Sequence, residues 1–360
     1  VRPAAPRLPG RRRPAHRVRR AAGAVGAVGA VAITGLVLAG CASDGADEAD
    51  APAATRNEPT TTSTAPPGCA AAVAPAAGTE RVELSSGGAD RWYDRVVPAA
   101  YDGAPVPLVI DLHGYLSGAE TQATISGLAA TADQEGFVLA TPQGNSALPY
   151  WNAVPHADLP DDVGFVADVV DDVSAAVCID PDRVYVDGFS NGAFLASLVA
   201  CELSDRVAAV ATVAGLLEPD GCEPSRPVPV LAIHGTDDQY VPFAGGRGPA
   251  LDDLDWNDDS RHAFDGLPFA DVTEAAEGWA DLDGCDPEPV RTEVSDEVEA
   301  IAYGDCPDDA AVELYVVTGG GHTWPASSFS HASAAILGPT TDDIDATDLI
   351  WTFFEEHPRP

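Results

Sequence analysis

From residue 81 onward the apolar positions change rhythm repeatedly, short extended runs alternating with longer helical ones. "RVELSS", "RWYDRVV" and "VPLVIDLHG" read as early strands, the third apolar for long enough to be buried on both faces. "ETQATISGLAATADQEG" follows as one helix and "FVLATPQG" as a strand. "DVGFVADVVDDVSAAV" has helical spacing, "RVYVDG" is a strand, and "NGAFLASLVACEL" is a helix with Phe194, Leu195, Leu198 and Val199 on one face. "VAAVATVAG" and "PVPVLAIHG" are strands, "VTEAAEGWADL" a helix, "AVELYVVTGG" a strand and "ATDLIWTFFEEH" a closing helix. No internal repeat is visible. This alternation predicts an α/β fold, with helices on both faces of a mostly parallel sheet and ligands at the carboxyl ends of its strands.

The first 68 residues follow another pattern. "RRRPAHRVRR" is a basic region, and an apolar, glycine-rich run after it ends in Leu38, Ala39, Gly40 and Cys41. That ending resembles a bacterial lipobox, so residues 1–40 are expected to be a lipoprotein signal peptide and Cys41 the lipid-modified residue. The competing reading is a transmembrane anchor, since the run is about 20 residues long. Residues 41–68 lack apolar periodicity and are rich in Pro, Thr, Ala and acid, the composition of a disordered tether. Residues 69–360 form the expected domain, outside the cytoplasm and held to a membrane through the lipid.

Charge narrows the partners. The whole chain carries a formal −38. Eight of its 19 basic residues lie in the first 40, which leaves 11 Arg against 57 acids beyond them. A surface of formal charge −46 repels phosphate backbones, so no nucleic acid is expected as a partner. Beyond Cys41 there are six cysteines, an even number in an exported chain, which argues for three disulfides. Cys285 and Cys306 bracket a polar excursion between a helix and a strand and are paired on that ground. Cys201 and Cys222 form the second pair, leaving Cys69 with Cys178. Zinc is the alternative, but no C-x-x-C pair exists.

The candidate chemistry lies at strand ends. Gly188, Ser190 and Gly192 fit G-x-S-x-G between a strand and a helix, where small neighbours let a serine stand on a tight, strained turn. The helix start aims backbone N–H groups at an oxyanion formed there. A serine hydroxyl needs a base, and "VVTGGGHTWP" ends a strand and presents His322 on a glycine-rich loop. The imidazole needs a carboxylate to hold its tautomer. Both Asp237 and Asp238 follow the strand in "VLAIHGTDDQYVP", and spacing leaves the two open. The order Ser…Asp…His is that of α/β-hydrolases. The oxyanion hole is expected from the backbone N–H groups of Asn191, after the nucleophile, and Tyr115, in the loop after "LVIDLHG".

Together with "TPQGNSALPYWNA", "DDVGFVADVVDDV", "GWADLDGC" and "GGGHTWP", these stretches make residues 78–358 resemble the esterase family of polyhydroxybutyrate depolymerases and feruloyl esterases. The resemblance implies an α/β-hydrolase fold and makes Asp238 the triad acid, because the family's H-G-T-x-D-x-x-V-P pattern places it there. It also implies that Trp151 and Asn152, a W-N pair, lie near the cleft, and Trp324 is put with them. The chain departs from the family at 248–268, "GPALDDLDWNDDSRHAFDGLP", which looks longer and more acidic than usual and would border the site. Asp253, Asp255 and Asn257 are spaced like the start of a calcium loop, but Asp258 and Phe264 stand where Gly and Glu are needed.

The expected function is therefore that of a secreted, lipid-anchored serine carboxylesterase acting through an acyl-enzyme, with no metal or organic cofactor. Its partners are an ester substrate, small or polymeric, and the membrane. The alternatives are a catalytically silent binding lipoprotein of the same fold and a peptidase of that fold.

Overall fold

The computed structural model describes Cys69, 75–144, 149–154, 156, 158–217, 221–252, 254, 264 and 266–360. The leader, Cys41 and the tether lie outside the described residues, as do Asp253, Asp255, Asn257 and Asp258 of the calcium-like stretch.

Ten described strands form one sheet, in the order β1-β2-β4-β3-β5-β6-β7-β10-β9-β8. Its middle is parallel: β4 (Val138–Pro142), β3 (Val106–Leu112), β5 (Ile179–Phe189), β6 (Ala209–Val213), β7 (Val230–Gly235) and β10 (Val312–Val317). Of these, β3, β4, β6 and β7 are buried almost throughout, as strands covered on both faces must be. One edge is the antiparallel hairpin β1 (Gly78–Ser86) and β2 (Ala89–Val97), where burial alternates along β2 as it does on a half-covered strand.

Helices cover both faces. On one side α1 (Ala119–Ser126), α2 (Leu128–Glu135) and α9 (Ala346–Glu356) enclose Val109, Leu139, Tyr185 and Phe354. On the other, α3 (Asp162–Ala176), α4 (Asn191–Glu202) and α6 (Val272–Asp283) enclose Ile110, Val186, Phe194 and Trp279. The short helices α5 (Pro249–Asp252), α7 (Ser328–Ala332) and α8 (Ala334–Leu337) lie in connections. Aspartates cap three of the long helices: Asp161, Asp271 and Asp345 each accept first-turn N–H groups.

Three local expectations are corrected. The single helix expected over 120–136 is two, because Gly127 at φ 66° ends α1 and starts α2. Helix α4 does not have one apolar face, since every residue from Asn191 to Ala200 is buried, the pattern of a helix inside a core. The far edge of the sheet is an unforeseen hairpin, β8 (Val290–Glu293) and β9 (Val298–Tyr303), antiparallel to β10.

The six cysteines of the domain form Cys69–Cys178, Cys201–Cys222 and Cys285–Cys306. The last closes the excursion that contains β8 and β9. Two of the bridges span 21 residues each, and a loop of that size corresponds to about 3 kcal/mol in the chain-entropy account.

Candidate active site

Four connections after carboxyl ends of the parallel strands converge. Strand β5 ends at Phe189, and Ser190 follows at φ 55°, ψ −116°, between strand and helix α4. A non-glycine residue at positive φ is strained, and the surroundings hold it there: its N–H donates to Val213 O at 2.8 Å, and its carbonyl accepts Phe194 N at 3.1 Å. The flanking glycines are there for space. A Cβ on Gly188 would stand 2.4 Å from the Gly192 carbonyl carbon, and one on Gly192 would stand 2.2 Å from Leu112 O. These obstacles are backbone and cannot turn aside.

Across the sheet, β7 and β10 are parallel partners, with His234 opposite Val316 and Gly235 opposite Val317. Their loops therefore run side by side, and His322 Nδ1 meets Asp238 Oδ2 at 2.7 Å. The other carboxylate oxygen, Asp238 Oδ1, accepts the N–H groups of Tyr240 and Val241 at 2.8 and 2.9 Å. Asp238 is buried, whereas Asp237 is exposed. Burial pushes the Asp238 pKa up, but the His322 charge and bonds from His234 and His322 outweigh it, and the net shift is well below the usual carboxylate range. His322 packs against Phe189 and Tyr240 at 4.9 and 5.0 Å between ring centres.

The loop after β3 is fixed by a chain of bonds that sequence reasoning missed. Gly144 N donates to His113 Nε2 at 2.9 Å, so the ring's proton is on Nδ1 and is donated to Gly114 O at 2.7 Å. Burial lowers the His113 pKa to about 4, keeping this tautomer neutral. His113 O accepts the Trp151 indole N–H at 2.7 Å. The Asn191 side chain then clamps the Trp151 backbone, accepting its N–H at 2.7 Å and donating to its carbonyl at 3.2 Å. Thus the peptide after Gly114 and the start of α4, which carry the backbone N–H groups of Tyr115 and Asn191, are braced against each other. The signal available in the sequence was a set of polar residues (His113, Trp151, Asn191) inside apolar stretches.

Ser190 and His322 line one cavity of about 320 Å³. Tyr115 lines it too, with Leu251, Leu254 and Phe264 from the unusual 248–268 segment. Phe264 meets the Tyr115 ring edge to face at 5.0 Å. No Arg, Asp or Glu is among the described lining residues. Trp151, Asn152 and Trp324, expected in the cleft, are buried and are not among the described residues that line this cavity. Trp151 and Trp324 are fully buried, and each indole N–H has the acceptor that burial calls for: His113 O for Trp151, and Thr347 Oγ1 at 3.1 Å for Trp324. Asn152 is turned to the Pro160 carbonyl at 2.9 Å, and its backbone N–H meets Asp162, itself paired with the buried Arg91.

Comparison with known proteins identifies the family. The family described as Esterase PHB depolymerase matches residues 93–223, which hold Tyr115, Ser190 and Asn191. Over 270 residues the chain is 34% identical to "Putative esterase NocK" of Nocardia uniformis subsp. tsuyamanensis, covering 71% of this chain and 75% of that one. It is 28% identical to Feruloyl esterase B of Piromyces equi, over 62% of this chain and 41% of that one. It is 29% identical to Poly(3-hydroxyalkanoate) depolymerase C of Paucimonas lemoignei, over 62% of this chain and 56% of that one. The chain thus spans three quarters of the first relative and less than two thirds of the other two.

Proposed function

Since the chain belongs to the esterase family of polyhydroxybutyrate depolymerases and is a carboxylic ester hydrolase, we propose that Ser190, His322 and Asp238 carry out the hydrolysis through an acyl-enzyme. The observation that carries this reading is the 2.7 Å bond from His322 Nδ1 to Asp238, made over the cavity that Ser190 also lines. With Nδ1 committed to the carboxylate, Nε2 is the nitrogen that takes the proton from Ser190 Oγ as the hydroxyl adds to the ester carbonyl carbon. The carbonyl oxygen becomes an oxyanion, held by the Tyr115 and Asn191 backbone N–H groups. When the tetrahedral adduct collapses, the C–O bond to the alcohol breaks and His322 returns the proton to the leaving oxygen. Water repeats the sequence on the acyl-enzyme, freeing the acid and Ser190.

The cavity supports an uncharged acyl group. It lacks cationic side chains among its described residues, and the domain around it is strongly acidic, so an anionic acyl chain meets no counter-charge and a repelling field. Hydroxyalkanoate and hydroxycinnamoyl esters both meet this condition. The test is a panel of acetyl, hydroxyalkanoate and hydroxycinnamoyl esters on residues 69–360; hydrolysis of none of them would sink the reading. On the same panel Phe264→Ala, which removes a wall facing Tyr115, should raise kcat/KM for hydroxycinnamoyl over acetyl esters by roughly 10-fold. An unchanged ratio would show that Phe264 does not bound the acyl group.

We further propose secretion and lipid anchoring. Three disulfides are at home in an oxidising compartment, and Leu-Ala-Gly-Cys at 38–41 resembles a lipobox. A diacylated Cys41 has two chains, enough for stable attachment. Produced with its leader in a bacterium, the protein should enter the detergent phase, and Cys41→Ser should move it to the aqueous phase. Full membrane retention of the processed Cys41→Ser protein would favour a transmembrane anchor instead.

A further inference from the structure

The strands that lead to Tyr115 and Ser190 also bring two carboxyl groups together in the core. Asp111 on β3 and Asp187 on β5 are register partners, one rung before the final pair of Leu112 and Gly188. Both are completely buried. Asp111 is well supplied with donors: Oδ1 accepts Gln122 Nε2 at 2.6 Å, and Oδ2 accepts Ser126 Oγ at 2.7 Å. Asp187 is not, since no N–H or hydroxyl group of another residue donates to its carboxyl oxygens. Register partners on parallel strands point their side chains to the same face of the sheet, so the two carboxyl groups are neighbours. Two ionised carboxylates cannot share such a site, and a lone one without donors is strongly disfavoured there.

We propose that Asp187 keeps its proton and donates it to Asp111, and that this carboxylic acid–carboxylate bond ties β3 to β5 directly beneath the Tyr115 backbone and Ser190. Both residues are positioning residues, acting through the strand ends they hold. Among the described residues, those packed on the pair offer no cation to neutralise a second charge. Helix α1 faces the pair with Gln122 and Ser126, neither of which ionises. The flanking strands β4 and β6 carry no titratable side chain. Helix α9, which reaches α1 through Thr347 on the Ser126 carbonyl, has its Asp345 and Asp348 exposed. In keeping with this, burial and then the Asp111 charge raise Asp187 well above the ordinary carboxyl range. Burial pushes Asp111 up to about 6 against the pull of its hydrogen bonds.

The linkage has a definite sign. Asp187 is protonated in the fold and ionised in the unfolded chain at any pH above about 3.9. Unfolding then releases its proton, and stability falls as pH rises until the folded group itself ionises. Asp187→Asn keeps the shape and can still donate to Asp111, but it has no proton to lose. Calorimetry in buffers of different ionisation enthalpy should count one proton more released on unfolding at pH 7 by the parent than by Asp187→Asn. The parent's unfolding midpoint should drop by roughly 5 °C more than the variant's between pH 6 and pH 8. The parent should also keep a deuterium-sensitive infrared band of a buried carboxylic acid at pH 8, a measurement that does not depend on the variant folding. At that pH Asp283, another buried carboxyl that desolvation raises, to about 7, is mostly ionised. Equal proton counts with parallel midpoint curves, or absence of that band, would overturn the proposal. These readouts do not use catalysis. Only the expected effect on rate, an alkaline loss of kcat/KM in the parent that Asp187→Asn lacks, rests on Ser190 being the nucleophile.

Discussion

Ser190→Ala should lower kcat/KM for an uncharged ester by about 10⁴-fold or more, leaving the unfolding midpoint close to that of the parent. The change deletes one oxygen and keeps the Cβ, so the strained backbone at φ 55° and its bonds to Val213 and Phe194 stay as they are. Residual catalysis would come from the braced N–H groups of Tyr115 and Asn191, which the substitution does not touch. Initial rates on the purified domain, beside its circular dichroism, make the comparison. A variant that kept the parental rate would remove Ser190 from the mechanism.

Asp238→Asn should cost about 10⁴-fold in kcat with the fold preserved, and the geometry says why. Two backbone N–H groups, from Tyr240 and Val241, converge on Oδ1. They fix the amide oxygen of an asparagine at that position, so its NH₂ group falls where Oδ2 now faces His322 Nδ1. Nδ1 must then accept, the ring proton moves to Nε2, and the nitrogen that should take the serine proton is already occupied. Asp237→Asn should change kcat less than twofold, because that side chain is exposed. Kinetics of the two variants, measured together, decide the matter: equal losses, or a larger loss at 237, would move the acid by one residue.

The placement of the site at strand ends could be read from the alternation of extended and helical runs, since in a parallel sheet the loops after β3, β5, β7 and β10 open on one edge. What could not be read depended on registers and partners. Strand β8 has four exposed residues and therefore no apolar rhythm to announce it. Trp151, Asn152 and Trp324 were assigned to the cleft from resemblance, which gives a neighbourhood but not a facing direction. In the fold they are buried, with their polar atoms bonded to acceptors on His113, Pro160 and Thr347. Asp111 and Asp187 stood in plain view as single acids in the apolar stretches "LVIDL" and "VYVDG". Only the β3–β5 register shows that they meet.

The Cys69–Cys178 bridge has a mechanical consequence. It joins residues 109 apart in sequence, and Cys178 stands immediately before β5, with its carbonyl accepting Val106 N of β3. A pull applied anywhere before Cys69 passes through the sulfur atoms to the root of β5. It does not load the β1–β2 hairpin at the edge of the sheet, which would otherwise be stripped one rung at a time. Strands β1 to β4 all lie within the covalent loop and are sheltered from the force. To extend the chain, the load must shear β5 from β3 and β6 on both sides at once. A domain dragged by its N-terminal side would therefore yield at its centre, all together, and at a higher force than its edge strands could bear.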